Sequence, residues 1–85
     1  MGNPPREVII YSRPGCHLCD DAKVVINRVA ARIPLAIREI NIDDDPEACA
    51  RFNDQIPVIF IDGRKAFKYH VEEAELLRRL KSRPA

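Results

Sequence analysis

The stretch Tyr11-Ser12-Arg13-Pro14-Gly15-Cys16-His17-Leu18-Cys19 constrains this chain more than any other. Before it runs Val8-Ile9-Ile10-Tyr11, apolar at every position, the pattern of a central strand covered on both faces. After it, Ala22, Val25, Ile26, Val29, Ala30 and Ile33 recur at helical spacing and draw a continuous apolar stripe. Pro34 stops that helix. Two cysteines therefore sit where a buried strand hands over to a helix.

That placement makes the dithiol reactive. The free N–H groups at a helix N-terminus carry about half a positive charge and stabilise an anion. Thiolate is the nucleophilic form of cysteine, so the same field favours it at Cys16. Cys19 falls one turn along on the same side, and the two sulfurs can approach closely enough to bond. A C-x-x-C pair in this context reads as a redox motif, with half of a zinc site and two inert thiols as the alternatives. Three cysteines are too few, and odd in number, for a secreted disulfide scaffold. No basic start leads into an apolar core, so no signal peptide is expected, and no run approaches a membrane span. A reducing, cytoplasmic setting is the expectation. With 14 basic and 13 acidic residues, the net charge of +1 gives no general pull toward nucleic acid or an anionic membrane. The length of 85 residues implies one domain, 1–85.

The rest of the chain supplies a small α/β fold. Met1 to Arg6 reads as a lead-in without pattern. Leu35 to Ile42 reads as a second strand, whose alternation shifts phase between Ile37 and Ile40; a bulge is one way to absorb that shift. Asp43-Asp44-Asp45 lacks the spaced ligands of a calcium loop, and Asp45-Pro46 reads instead as a helix cap followed by proline at the first helical position. A short helix over Pro46 to Phe52 follows. Ile56-Pro57 then opens the apolar strand Val58-Ile59-Phe60-Ile61, and Asp62-Gly63 is a two-residue hairpin signal. Arg64 to Tyr69 forms the charged return strand, and Glu72 to Lys81 the last helix, with Ala74, Leu76, Leu77 and Leu80 inside. The order β-α-β-α-β-β-α predicts a mixed four-stranded sheet flanked by helices, its first two strands parallel.

With these elements in place, the chain resembles the glutaredoxin branch of the thioredoxin-fold family. Three parts carry the resemblance: the stretch from Tyr11 to Cys19, the Ile56-Pro57-Val58 step, and Asp62-Gly63 in the last hairpin. It implies a thioredoxin-like fold and a small dithiol-disulfide oxidoreductase, with Cys16 as attacking thiolate and Cys19 as resolving thiol. It also implies a cis bond before Pro57, and a substrate held by Arg13 and by the backbone of Ile56 and Pro57. Arg13 matches a basic residue that the family keeps before the motif, placed to favour the thiolate and to meet a carboxylate. His17, when protonated, would favour the thiolate too, and is the second tuning candidate. Arg51 reads as a solvated helix residue, or as a partner for a peptide carboxylate. Cys49 reads as a small hydrophobe, and Tyr11 and Phe60 as core.

The chain also departs from that pattern. Where glutaredoxins carry a Gly-Gly step and an Asp that hold the γ-glutamyl end of glutathione, this chain has Phe67-Lys68-Tyr69-His70-Val71. The expectations are therefore no tightly bound cofactor and no metal, with glutathione as a co-substrate of reduced affinity. The expected partners are protein or small-molecule disulfides, with glutathione or a thioredoxin-reductase-type system as reductant. A monomer is expected. The alternatives are a redox-sensing or non-catalytic binding domain of the same fold, and an iron–sulfur or zinc carrier acting through Cys16.

Overall fold

In the computed structural model, which describes residues 5–81, the apolar run before the cysteines is the strand β1, Arg6–Ser12. It lies inside the sheet, between β2 (Leu35–Asn41) and β3 (Val58–Ile61), with β4 (Arg64–Lys68) outermost in the order β2-β1-β3-β4. β1 and β2 are parallel, joined through the helix α1 (His17–Ala30); β1–β3 and β3–β4 are antiparallel. A 3-10 turn (Ile42–Asp44) and a short helix α2 (Pro46–Phe52) lead from β2 to β3, and α3 (Glu73–Lys81) ends the described chain. This is the mixed, helix-flanked sheet that the element order predicts.

Alternation along β1 and β3 gives the protein two apolar layers. Val8, Ile10, Ile59 and Ile61 face Ile26 and Val29 of α1 and Leu76 and Leu80 of α3. On the opposite face, Val58 packs with Ile42, Ala48 and Phe52, and Tyr11, Ile56 and Phe60 close over them. Tyr11, Phe52 and Phe60 form a ring triangle with centroids 4.8, 5.5 and 5.9 Å apart. Contacts of this kind add about 0.5–1.5 kcal/mol each beyond burial. Tyr11 and Phe60 are half-buried and pack against this second layer rather than lying within it.

Local signals are met at the expected places. The Asp45 side chain caps α2, accepting from the N–H groups of Glu47 and Ala48 at 3.1 Å, and Pro46 follows at the first turn. Asp62 and Gly63 both take positive φ, 49° and 84°, as a two-residue hairpin turn of the I′ kind requires.

Three expectations are corrected. Arg6 belongs to β1 and not to a lead-in: Glu7 exchanges backbone and side-chain bonds with Asp62, which extends the strand. The lead-in over residues 1–4 lies outside the described residues. β2 carries no bulge; it pairs with β1 in unbroken register from Arg6↔Leu35 to Ser12↔Asn41. As an edge strand it need not alternate cleanly, and Ile37 stays 36% exposed. The irregularity lies instead between β3 and β4, at Ile59/Phe60. In α3 the buried residues are Leu76 and Leu80, with Leu77 packed beside them, whereas Ala74 is exposed. Among the described residues, no helix is long and apolar enough to cross a membrane.

Candidate functional site

The dithiol sits on a turn whose geometry follows from its residues. Pro14 and Gly15 occupy the two central positions, and the Cys16 N–H donates to the Arg13 carbonyl at 3.3 Å. Gly15 has φ +80°, so the turn is of type II, in which the third residue needs a left-handed backbone. A Cβ at Gly15 would meet nothing within 4 Å, so the backbone angle alone asks for glycine.

This turn delivers Cys16 to the N-cap of α1. Its backbone is extended, and its Sγ accepts the Cys19 N–H at 3.1 Å. Its carbonyl accepts the Asp20 N–H, which starts the helix. The two cysteines are joined as a disulfide, with Cα atoms 5.2 Å apart. They differ in access: Cys16 is half-buried and Cys19 is 1% exposed. His17 opens the helix and is exposed, and Leu18, between the cysteines, is 37% exposed.

Arg13 is held by two partners. Its Nε donates to both oxygens of Asp43, at 3.0 and 3.2 Å, and its Nη2 donates to Asn53 Oδ1 at 2.7 Å. The Cys49 sulfur lies 3.8 Å from the same Nη2. The guanidinium thus ties the cysteine turn to the 3-10 turn and to the end of α2. Cys49 is a free thiol, half-buried against the second apolar layer. Arg51 is exposed, its guanidinium 5.0 Å from the centroid of the neighbouring Phe52 ring.

The Ile56–Pro57 bond is cis, Pro57 is buried, and Ile56 is half-buried. Register places this step at the end of the sheet from which the cysteine turn leaves. Tyr11 of β1 stands opposite Val58, the residue after Pro57, and Val58 stands opposite Lys68 at the end of β4. The Pro57 carbonyl accepts the Tyr69 N–H at 2.9 Å. The sequence-derived residues Arg13, Cys16, His17, Cys19, Ile56 and Pro57 therefore share one end of the sheet.

Three residues beside the turn escaped the sequence reading. The buried Ser12 donates its hydroxyl to Glu39 Oε2 at 2.7 Å, and Lys23 donates to the same oxygen at 3.0 Å. The Ser12 hydroxyl first, and Lys23 second, hold the Glu39 carboxyl below its ordinary range. With Arg13, Pro14, Asp20 and Asn41 these residues line a cleft of about 410 Å³ between α1 and β2. The one signal for them was a hydroxyl ending an apolar strand, which does not name its partners.

Comparison with known proteins agrees with this architecture. A glutaredoxin-like protein of Dictyostelium discoideum is 35% identical over 72 residues, 78% of this chain and 67% of that protein. A Nitrosomonas europaea protein solved by solution NMR superposes with a TM-score of 0.80 at 26% identity, covering 94% of this chain and 99% of its own. A thioredoxin variant of Halobacterium salinarum superposes with a TM-score of 0.65 at 18% identity, covering 89% of this chain and 72% of its own, a likeness of fold alone. The family described as Glutaredoxin-like domain (DUF836) matches residues 7–81, from the second residue of β1 to the end of α3. With its fold, its cysteine pair and nearly its whole length accounted for, the chain belongs to this glutaredoxin-like domain family of thioredoxin fold.

Proposed function

We propose that this protein is a thiol–disulfide oxidoreductase in which Cys16 attacks and Cys19 resolves. One observation carries the reading: a half-buried sulfur caps a 14-residue helix and accepts an amide proton there, while its partner sulfur is almost fully shielded. In the reduced protein the same N–H and the helix field favour thiolate at Cys16.

The reaction balances as two exchanges. Cys16 thiolate attacks one sulfur of a substrate disulfide, forming a mixed disulfide and releasing the other sulfur as a thiolate that takes a proton. Cys19, giving up its proton, then attacks the Cys16 sulfur. That releases the second substrate thiol and closes the Cys16–Cys19 bond. Two electrons and two protons from an external thiol reductant restore the dithiol. Arg13 and the Ile56–Pro57 backbone are the substrate-holding groups in this reading, and His17 adds positive charge beside the thiolate when protonated. Asp43 and Asn53 already occupy the Arg13 fork, and the stretch Phe67 to Val71 offers neither the glycines nor the Asp that hold glutathione in glutaredoxins. Glutathione is therefore the weaker reductant in this proposal, and a reductase-fed dithiol system the stronger, in a reducing cytoplasm.

Turnover of a low-molecular-weight disulfide, measured with each reductant, tests the reading. Cys16→Ser should have no turnover, because Cys19, the thiol left in the pair, is too shielded to attack a substrate disulfide. Cys19→Ser should accumulate a mixed disulfide on Cys16, visible by mass. A Cys16→Ser protein that keeps its activity overturns the assignment. So does glutathione-coupled turnover that exceeds the reductase-fed rate, for the reductant.

A further inference from the structure

The loop after β4 carries a residue in the wrong conformation for its type. Tyr69 has φ +69°, the left-handed region that a side chain disfavours. The His70 N–H donates back to the Lys68 carbonyl at 2.8 Å, so Tyr69 is the centre of a γ-turn of the uncommon, strained hand. From the other side, the Tyr69 N–H is bonded to the Pro57 carbonyl at 2.9 Å. Strained residues of this kind cluster at functional sites, held there by the structure around them.

Core packing does not account for the side chain. Tyr69 is 39% exposed, one of the few large apolar side chains that are. Its ring contact is the Lys68 ammonium, 5.6 Å from the centroid. Leu18, between the two cysteines, is a further exposed apolar side chain at this end of the sheet. A glycine would adopt the same turn without a Cβ penalty. What tyrosine adds is an accessible ring, anchored through its own backbone to the carbonyl of Pro57.

We propose that Tyr69 is a specificity-determining residue: its ring is a platform for the apolar side chain that flanks the cysteine of a polypeptide disulfide. The inference rests on the oxidoreductase reading. It assigns the substrate class as polypeptide disulfides with an apolar or aromatic neighbour. A small hydrophilic disulfide has no group to lay on the ring.

The test compares the parent with Tyr69→Phe, Tyr69→Gly and Tyr69→Asn on two substrates. One is a synthetic peptide disulfide with Phe beside each cysteine; the other is hydroxyethyl disulfide. Asn, like Gly, tolerates the left-handed backbone, so the two ring-less variants check each other. Tyr69→Gly and Tyr69→Asn should raise KM for the peptide about tenfold at unchanged kcat, the loss of one ring contact worth about 1.4 kcal/mol. Both should leave hydroxyethyl disulfide turnover within about twofold of the parent, and Tyr69→Phe should keep the peptide KM. The Tm of Tyr69→Gly should be no lower than the parent's. An unchanged peptide KM, an equal loss on both substrates, or a lowered Tm with a general loss overturns the proposal alone. A parent that reduces neither substrate overturns the oxidoreductase reading and this inference with it.

Discussion

The two ends of the sheet treat the same backbone problem in opposite ways. At the hairpin end, left-handed conformations fall on Asp62 and Gly63, residue types that tolerate them. The Asp62 carboxylate accepts the Glu7 N–H at 3.0 Å and pairs with Arg6, and Arg6 reaches the Leu80 carbonyl at 2.6 Å. That end bolts β1, the hairpin and α3 together. At the cysteine end, Gly15 relieves one left-handed position, but Tyr69 bears another with its ring in solvent. The first end spends its polar groups on stability. The second keeps an accessible sulfur, an exposed ring and a polar cleft, none of which a fold needs for itself.

Breaking the hairpin end gives the largest expected effect on stability. Asp62→Ala removes the acceptor of two contacts and puts a Cβ-bearing residue without a local polar partner at φ +49°. It should cost about 2–3 kcal/mol in denaturant unfolding while leaving disulfide turnover per folded molecule unchanged. An equal fall in turnover would show that the two ends are not independent. Removing the α2 cap comes next: Asp45→Ala should cost about 1 kcal/mol. Because α2 also ends next to Asn53, a partner of Arg13, this variant should raise KM for a disulfide substrate modestly, by less than about threefold. A KM unchanged within error would mean that Arg13 is held by Asp43 alone.

Acid sensitivity sharpens the comparison with the smallest effect. The Glu7 N–H first, and Arg6 second, hold the Asp62 carboxyl below its ordinary value; at the cysteine end the Ser12 hydroxyl and Lys23 do the same for Glu39. A carboxyl depressed by folding contributes stability above its unfolded pKa, about 4, and loses it as pH falls through the folded value. The Tm should therefore be flat from neutral pH to about 5 and decline below about 4. Asp62→Asn and Glu39→Gln should each make that decline shallower, and both side chains are exposed enough that each change should be only a few degrees at most. An acid limb equally steep in both variants would assign it to other carboxylates.

Much of this site was legible in the chain because its signals are local. Asp45-Pro46 specifies a capped helix start and Asp62-Gly63 a hairpin, each through the dihedral or hydrogen-bonding preference of the residues themselves. The apolar stripe after Cys16 needed only helical period to place both cysteines at a helix start. The partners of Arg13 were not legible. Asp43 stood in an acidic run that reads as a capping loop, and nothing within it points to a guanidinium 30 residues away. Ser12, Lys23 and Glu39 meet only because β1 and β2 are parallel with α1 crossing above them.

By itself, the sequence determined the order of elements, the hairpin turn, the cap of α2 and the position of the dithiol at the start of α1. Each of these is decided within a few residues, by dihedral preference, periodicity or a side chain bonding its own backbone. Tertiary structure alone decided that β2 runs without a bulge, that Asp62 bolts the hairpin to β1, and that Arg13 faces Asp43 and Asn53. It also decided that Tyr69 turns through a left-handed γ-turn against the Pro57 carbonyl. The physical reason is the same in each case: edge position, register and long-range polar pairing are properties of chain segments brought together, and no local preference in either segment encodes its partner.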